Sequence, residues 1–341
     1  MTSRRRWLRR RGSRVRRTVQ GSGTSLADTT SSGPNTVAEP FADAIASLTA
    51  GLPEIDWAGR DVERPSYRYK LHESKRRKVL LDGEGHRQRV WAFNSKAAGL
   101  RLASDLGVAT PELIADPLPL DEIDWEALPE RFVLKPLEGA ASRAIFLLRR
   151  TSTGYRDLMD AQDKSRDEVI GVARQLVDDG LVSARFCIEE LLAPRAELLD
   201  RIAQPDDFKV FCFWDRPLVV MQRRLGGHAD ASRWRFKFWT ADWEHLGPVK
   251  YPDRYDPTLE LPAGAEEIIE VTSRIGRHLA IPFVRLDVYD TDRGVVFGEV
   301  TPHPGPPERW DPVVDEIFGR HWEYAETRLL AAGIAPNEPK P

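Results

Sequence analysis

The sequence predicts an α+β fold, two mixed subdomains preceded by a short basic segment. Three observations carry that expectation. Residues 207–224 and 283–300 each read as a long hairpin of alternating apolar and polar residues. Between them, residues 265–279 place Ile268, Val271, Ile275 and Leu279 on one helical stripe. Earlier, a strand–loop–strand over 132–150 is followed by a second amphipathic helix over 167–179, with Gly180 as its stop. Sequential hairpins make antiparallel sheets, and interspersed helices cover their faces.

A chain of 341 residues can bury a substantial core in two or three such units. No run is long and apolar enough to span a membrane. Cys187 and Cys212 lie far apart in apolar runs, the pattern of reduced core thiols in a cytoplasmic protein and not of a disulfide or zinc framework. Residues 1–17 hold nine arginines and no acid, although the net charge of the chain is −3. The tail and the acidic body are therefore separate objects. No apolar stretch follows the arginines, which excludes a secretory signal. Residues 1–40 read as a disordered Arg-rich tail that could touch nucleic acid or anionic lipid head groups, or simply be solvated.

In order along the body, residues 41–114 form a first segment. It contains a helix over 41–52, a basic solvated stretch over 67–89 and a helix over 94–106 capped by Asn94 or Ser95, then an extended run over 108–114. Residues 117–130 read as an acidic, Pro-rich connector. A flap subdomain spans 115–193. Its strand 132–136 carries Lys135, and the small residues that follow, Gly139 to Ser142 among them, let backbone N–H groups approach phosphates. The Gly-Lys-Ser/Thr ending of a P-loop is missing. Residues 194–332 form the last subdomain, with strands at 207–224 and 233–240, the helix at 265–279, the hairpin at 283–300 and a closing helix over 311–332. Residues 333–341 are a polar tail.

The 283–300 hairpin holds the most chemistry. Alternation puts Arg285 and Asp287 on one face of its first strand, and Glu299 stands on the neighbouring strand. Two carboxylates so placed can hold a hard cation such as Mg²⁺, and a cation beside them suits phosphate. An ordinary hairpin with a charged wet face has the same pattern. Lys209 shares an otherwise apolar strand face with Phe211 and Phe213, so it needs an anion or a route to water.

Taken together, Phe-Val-Leu-Lys at 132–135, Asp-Phe-Lys-Val-Phe-Cys-Phe at 207–213 and the run from Phe283 to Thr301 resemble the ATP-grasp superfamily, in particular its TupA-like branch, associated with cell-surface polysaccharide synthesis. The resemblance covers roughly residues 65–325 and rests on order and spacing. It implies an ATP-grasp fold whose two subdomains clamp ATP. By the same resemblance Lys96 and Lys135 meet the phosphates under a flap that includes Glu138, Gly139 and Ser142. Glu189 lies near the adenine amino group, and the backbone of Glu190, Leu191 and Leu192 pairs with the base. Asp207 takes the ribose. Arg285 and Lys209 are catalytic, and Asp287 and Glu299 hold one or two Mg²⁺ ions. Ligases of the superfamily carry an asparagine ligand two residues after the second acid; Thr301, a neutral oxygen donor, stands there.

The activity so implied is an ATP-dependent carboxylate–amine ligase that forms an amide through an acyl phosphate, acting on small-molecule or polysaccharide-linked substrates in the cytoplasm or at the membrane periphery. An ATP-grasp kinase acting on a sugar-like hydroxyl would use the same nucleotide site. A non-enzymatic polyanion-binding protein would use the Arg tail and the 67–89 stretch instead.

Overall fold

The computed structural model describes residues 39–54, 64–85, 91, 93, 95–139, 143–198, 202, 204–225 and 231–334. The expected tail at 1–40 lies outside the described residues but for Glu39 and Pro40, as do Ser142, Asn94 and most of the polar end. The described residues fall in one compact unit, built on two antiparallel sheets.

The first sheet has six strands: β1 (Leu113–Pro119), β2 (Arg131–Pro136), β3 (Phe146–Arg150), β4 (Tyr155–Asp157), β5 (Gln162–Lys164) and β6 (Arg185–Glu190), in the order β1-β6-β2-β3-β4-β5. Phe132, Leu134, Phe146, Leu148, Phe186 and Ile188 point to one face and form a core with Val169 and Ala173 of a helix, Arg166–Asp178. Ser165 and Glu168 start that helix with a reciprocal capping box. The other face of β2 carries Val133 and Lys135. One expectation changes here. The chain stays extended through Pro119, so the connector begins later than residue 117; β1 is an edge strand, where proline is tolerated. Strands β4 and β5, three residues each, are too short and polar to show in the pattern.

The second sheet has the order β11-β10-β7-β8-β9, from β7 (Asp207–Phe213), β8 (Arg216–Arg224), β9 (Arg235–Thr240), β10 (Val284–Thr291) and β11 (Gly294–Thr301). The helix Ala265–Leu279 covers one face, packing Ile268, Val271, Ile275 and Leu279 on Phe208, Val210, Val220, Leu286, Val288 and Phe297. Gly276 allows this approach: a Cβ there would stand 2.2 Å from the Trp214 carbonyl oxygen. The opposite face is divided. Phe211, Phe213, Val219 and Phe238 sit under helices Glu39–Thr49, Tyr67–Gly83 and Pro312–Ala331, with Leu48, Tyr67, Phe318 and Trp322 among the covering side chains. The remainder of that face is ionic. The helix Lys96–Asp105 lies along β11, Gly99 against Val300 and Phe297.

Candidate functional site

Strand register assembles the ionic half-face. Asp287 pairs with Lys209 on one side and with Glu299 on the other; Arg285 pairs with Thr301, and Asp207 with Tyr289 and Arg223. Alternation then turns Arg285, Asp287, Lys209 and Asp207 to the same side. A bulge after Asp287 absorbs Gly298, where a Cβ would come 2.8 Å from the Tyr289 ring.

Arg285 is the centre of the network. Its Nε donates to Asp287 Oδ1 at 2.6 Å, and its Nη2 donates to Asp287 Oδ2 at 2.7 Å, to Thr301 Oγ1 at 2.9 Å and to Glu299 Oε1 at 3.3 Å. Lys209 donates to Asp287 and lies 2.8 Å from Asp207, to which Arg223 also donates. Burial pushes the Asp287 carboxyl up, but Arg285 and then Lys209 overrule it and hold it well below the usual carboxylate range. Burial likewise works against the Arg285 charge, and Asp287, Glu299 and Asp207 more than restore it. The expectation of a wet face therefore needs correction: Asp287 is 2% exposed, and the exposed acid is Glu299, whose side chain is 40% accessible.

On the six-stranded sheet Lys135 stands opposite Cys187, and Val133 opposite Glu189. Lys135 thereby meets Glu189 diagonally in a buried ion pair. Lys96, at the start of its helix, feels charges of both sheets. Burial and then Lys135 push its ammonium down, while Glu299 of one sheet and Glu189 of the other oppose them. The two lysines and the two acids thus lie within electrostatic reach of one another.

After Glu190 the chain crosses to the second sheet along Leu191 and Leu192, both buried, which make no backbone hydrogen bond among the described residues. Their N–H and C=O groups can pair with the polar edge of a ligand. The crossing is tied at both ends. Arg293 donates to Glu190 at 2.6 Å, and Arg195 donates to Asp290 at 2.6 Å. Nearby, Asp207 Oδ1 and Arg223 Nε are buried without a hydrogen-bond partner among the described residues, as expected where a ligand supplies one.

The structure thus gathers Lys209, Asp207, Arg285, Asp287, Glu299 and Thr301 on one sheet, and Lys135 and Glu189 on the other, with Lys96 between. Glu138 and Gly139 follow β2; Glu138 N–H donates to Ser183 and Gly139 bridges to Val182. Ser142 lies outside the described residues. Arg223 was missed by sequence reading, although it is the last residue but one of the hairpin and faces Asp207 once the 215–216 turn is set.

Among the described residues no three His, Cys, Asp or Glu side chains form a preformed cage for a metal. The donors at Asp287, Glu299 and Thr301 are all oxygen, which fits a hard cation. Both Asp287 oxygens are engaged by Arg285 and Lys209, whereas the second Glu299 oxygen has no partner among the described residues. Direct ligation fits Glu299 best.

A family model described as TupA-like ATPgrasp matches residues 75–322. No curated protein matches the chain. Solved structures similar to it include the D-alanine–D-alanine ligase from Bacillus anthracis complexed with ATP, at 14% identity over 74% of this chain and 75% of that one with a TM-score of 0.40. Another is the ATP-grasp ligase PsnB complexed with a minimal precursor, at 14% identity over 80% and 75% with a TM-score of 0.40. A third is the macrocyclase MdnC from Microcystis aeruginosa MRC bound with precursor peptide MdnA, at 12% identity over 80% and 74% with a TM-score of 0.39.

Proposed function

The chain belongs to the TupA-like ATP-grasp family, and from that premise we propose that it is an ATP-dependent carboxylate–amine ligase that works through an acyl phosphate. The observation that carries the reading is the position of Lys96, whose charge is coupled to Lys135 and Glu189 on one sheet and to Glu299 on the other. A phosphate clamp and a carboxylate–arginine face then address one space.

In this reading Lys96 and Lys135 hold the phosphates. Leu191 and Leu192 offer backbone groups to adenine, beside Glu189. The unpartnered oxygen of Asp207 accepts from a ribose hydroxyl. Glu299, with Asp287 and Thr301 beside it, would hold Mg²⁺, which when bound neutralises charge on the transferring phosphate. A substrate carboxylate attacks the γ-phosphorus in line and ADP leaves. An amine then attacks the acyl carbon of the mixed anhydride and releases a proton from its nitrogen to solvent, giving a tetrahedral oxyanion. Arg285, fixed by Asp287, is placed to steady that charge. The oxyanion collapses, phosphate leaves and an amide remains. No side chain acts as a covalent nucleophile, because positioning supplies much of the rate.

The test uses ATP, Mg²⁺ and pools of candidate acids, with hydroxylamine in place of the amine. A hydroxamate formed with stoichiometric ADP and phosphate supports the ligase. A stable phosphorylated product without hydroxamate would show a kinase in its place, and AMP with pyrophosphate would contradict both.

A further inference from the structure

The helix Tyr67–Gly83 is apolar on two sides. Ser66 caps its start, its hydroxyl accepting from the Tyr69 N–H at 3.2 Å. Its inner side buries Tyr67 and Leu71 in the core under the second sheet. With 3.6 residues per turn, Tyr69, Arg76 and Leu80 line up along the opposite side, and Val79 flanks them. Tyr69 is 55% exposed, Val79 66% and Leu80 71%. A single exposed apolar side chain is ordinary. Three on the outer face of one helix are not, because a helix that packs on one side alone turns charged and polar groups outward.

The charges on the helix are one-sided as well. It carries six lysines and arginines against two acids, Glu73 and Asp82. Both acids are used within the helix: Glu73 pairs with Arg77 at 2.6 Å, and Asp82 pairs with Lys78. Lys70 turns to Glu323 and Glu326 of the closing helix. Lys75 and Arg76 are exposed and have no carboxylate within ion-pairing distance among the described residues. The Arg76 guanidinium carbon lies 5.7 Å from the Tyr69 ring centroid, so this cation rests against the apolar stripe. Its long stem lets the charge stay at the level of polar head groups while apolar neighbours go deeper. Large apolar side chains among surplus cations suit a helix lying on an anionic bilayer. The nine arginines of residues 1–17, with no acid among them, add attraction to the same kind of surface.

We propose that the outer face of this helix, Tyr69, Val79 and Leu80 with Lys75 and Arg76, docks on an anionic lipid bilayer. The apolar side chains enter the head-group region and the two cations meet lipid phosphates. The assignment goes beyond the ligase reading and does not depend on it. The same helix holds the loop that leaves Thr301. His72 pairs with Glu308 at 2.9 Å, and its ring centroid is 6.2 Å from that of His303. A docked helix therefore ties that loop to the membrane surface.

The experiment is co-sedimentation of the full chain with vesicles of phosphatidylcholine alone and of phosphatidylcholine mixed equally with phosphatidylglycerol. The chain should bind the anionic vesicles and not the neutral ones. Binding should weaken as salt rises from about 0.1 M to about 1 M, because the Debye length shrinks from about 10 Å to about 3 Å. The double variant Val79→Ser, Leu80→Ser should bind about tenfold more weakly at constant salt, having less apolar area to bury. The double variant Lys75→Ser, Arg76→Ser should also lose about tenfold. All four side chains are exposed, so thermal melts should match the wild type. Leu80→Cys carrying an environment-sensitive dye reports on the helix itself, since Cys187 and Cys212 are buried; its emission should shift to the blue on anionic vesicles.

No binding of the wild type to anionic vesicles overturns the proposal. Wild-type affinity in both double variants with an unshifted dye does the same, and assigns the attraction to the arginines of residues 1–17. A dimer that Val79→Ser, Leu80→Ser dissolves in sedimentation velocity, with vesicle binding unchanged, would give the face to a second copy of the chain. Loss of DNA binding in Lys75→Ser, Arg76→Ser, again with vesicle binding unchanged, would give it to nucleic acid. Either result sinks the membrane assignment.

Discussion

Lys209 stands opposite Asp287 across the β7–β10 pairing and donates to it, while its Nζ lies 2.8 Å from Asp207 on its own strand. One buried cation thus joins two buried carboxylates. Lys209→Met leaves Asp287 to Arg285 alone and Asp207 to Arg223 alone, each carboxylate having lost one of its two cationic partners. Removing one partner of a buried pair costs roughly 3–5 kcal/mol, and urea denaturation at neutral pH should show a loss of that order. A loss below about 1 kcal/mol, the value of an exposed pair, would mean that the network contributes little to the fold.

Asp287 and Glu299 should part company when each loses its charge. Glu299→Gln alters an accessible side chain, so turnover should vanish while thermal stability barely moves. Asp287→Asn should abolish turnover and also destabilise, because Arg285 and Lys209 lose the anion that holds them. The depressed Asp287 pKa sets the pH dependence of that stability. The wild-type contribution is present above about pH 4, the ordinary Asp value, and is lost as pH falls below it. Chemical denaturation of wild type and Asp287→Asn through that range checks this; parallel curves would contradict it.

The two lysines of the proposed phosphate clamp predict opposite stability effects. Lys135→Met strands Glu189, whose side chain is 7% accessible, so stability falls. Lys96→Met relieves the repulsion between Lys96 and Lys135, so stability holds or rises. ATP affinity should fall in both by roughly 1–3 kcal/mol, the range for a charge-assisted hydrogen bond. Calorimetry combined with thermal melts reads both, and unchanged ATP affinity in either variant removes that lysine from the clamp.

Much of this architecture is legible in the sequence because its signals are local. The helix Ala265–Leu279 follows from its apolar stripe. The β10–β11 hairpin follows from alternation on either side of a polar turn, and that register brings Asp287 to Glu299. Burial was less legible. Alternation puts Asp287 on a polar face, but whether the face is wet depends on Lys209 and Arg285 closing over it, which is a tertiary outcome. Lys250 left no trace in the pattern: it meets the Trp310 ring through the isolated bridge between Lys250 and Trp310, across chain that no periodicity connects.

Lys250 also predicts how stability should vary with pH. Its folded pKa is about 7, against about 10.4 for a free lysine. Below neutrality the ammonium is charged in both states, and the folded state bears the full cost of burying it. As pH rises from about 7 to about 10, the folded chain sheds the proton first while the unfolded chain keeps it, so the unfolded state binds more protons and stability rises. Lys250→Met carries no such charge. The wild type should therefore be the less stable of the two near pH 6.5, by an amount that shrinks steadily toward about pH 10. Urea denaturation of both proteins at three pH values across that window gives the gap directly. A gap that stays constant, or widens with pH, would mean that Lys250 keeps its proton in the folded chain against the burial and the Arg285 charge that push it off.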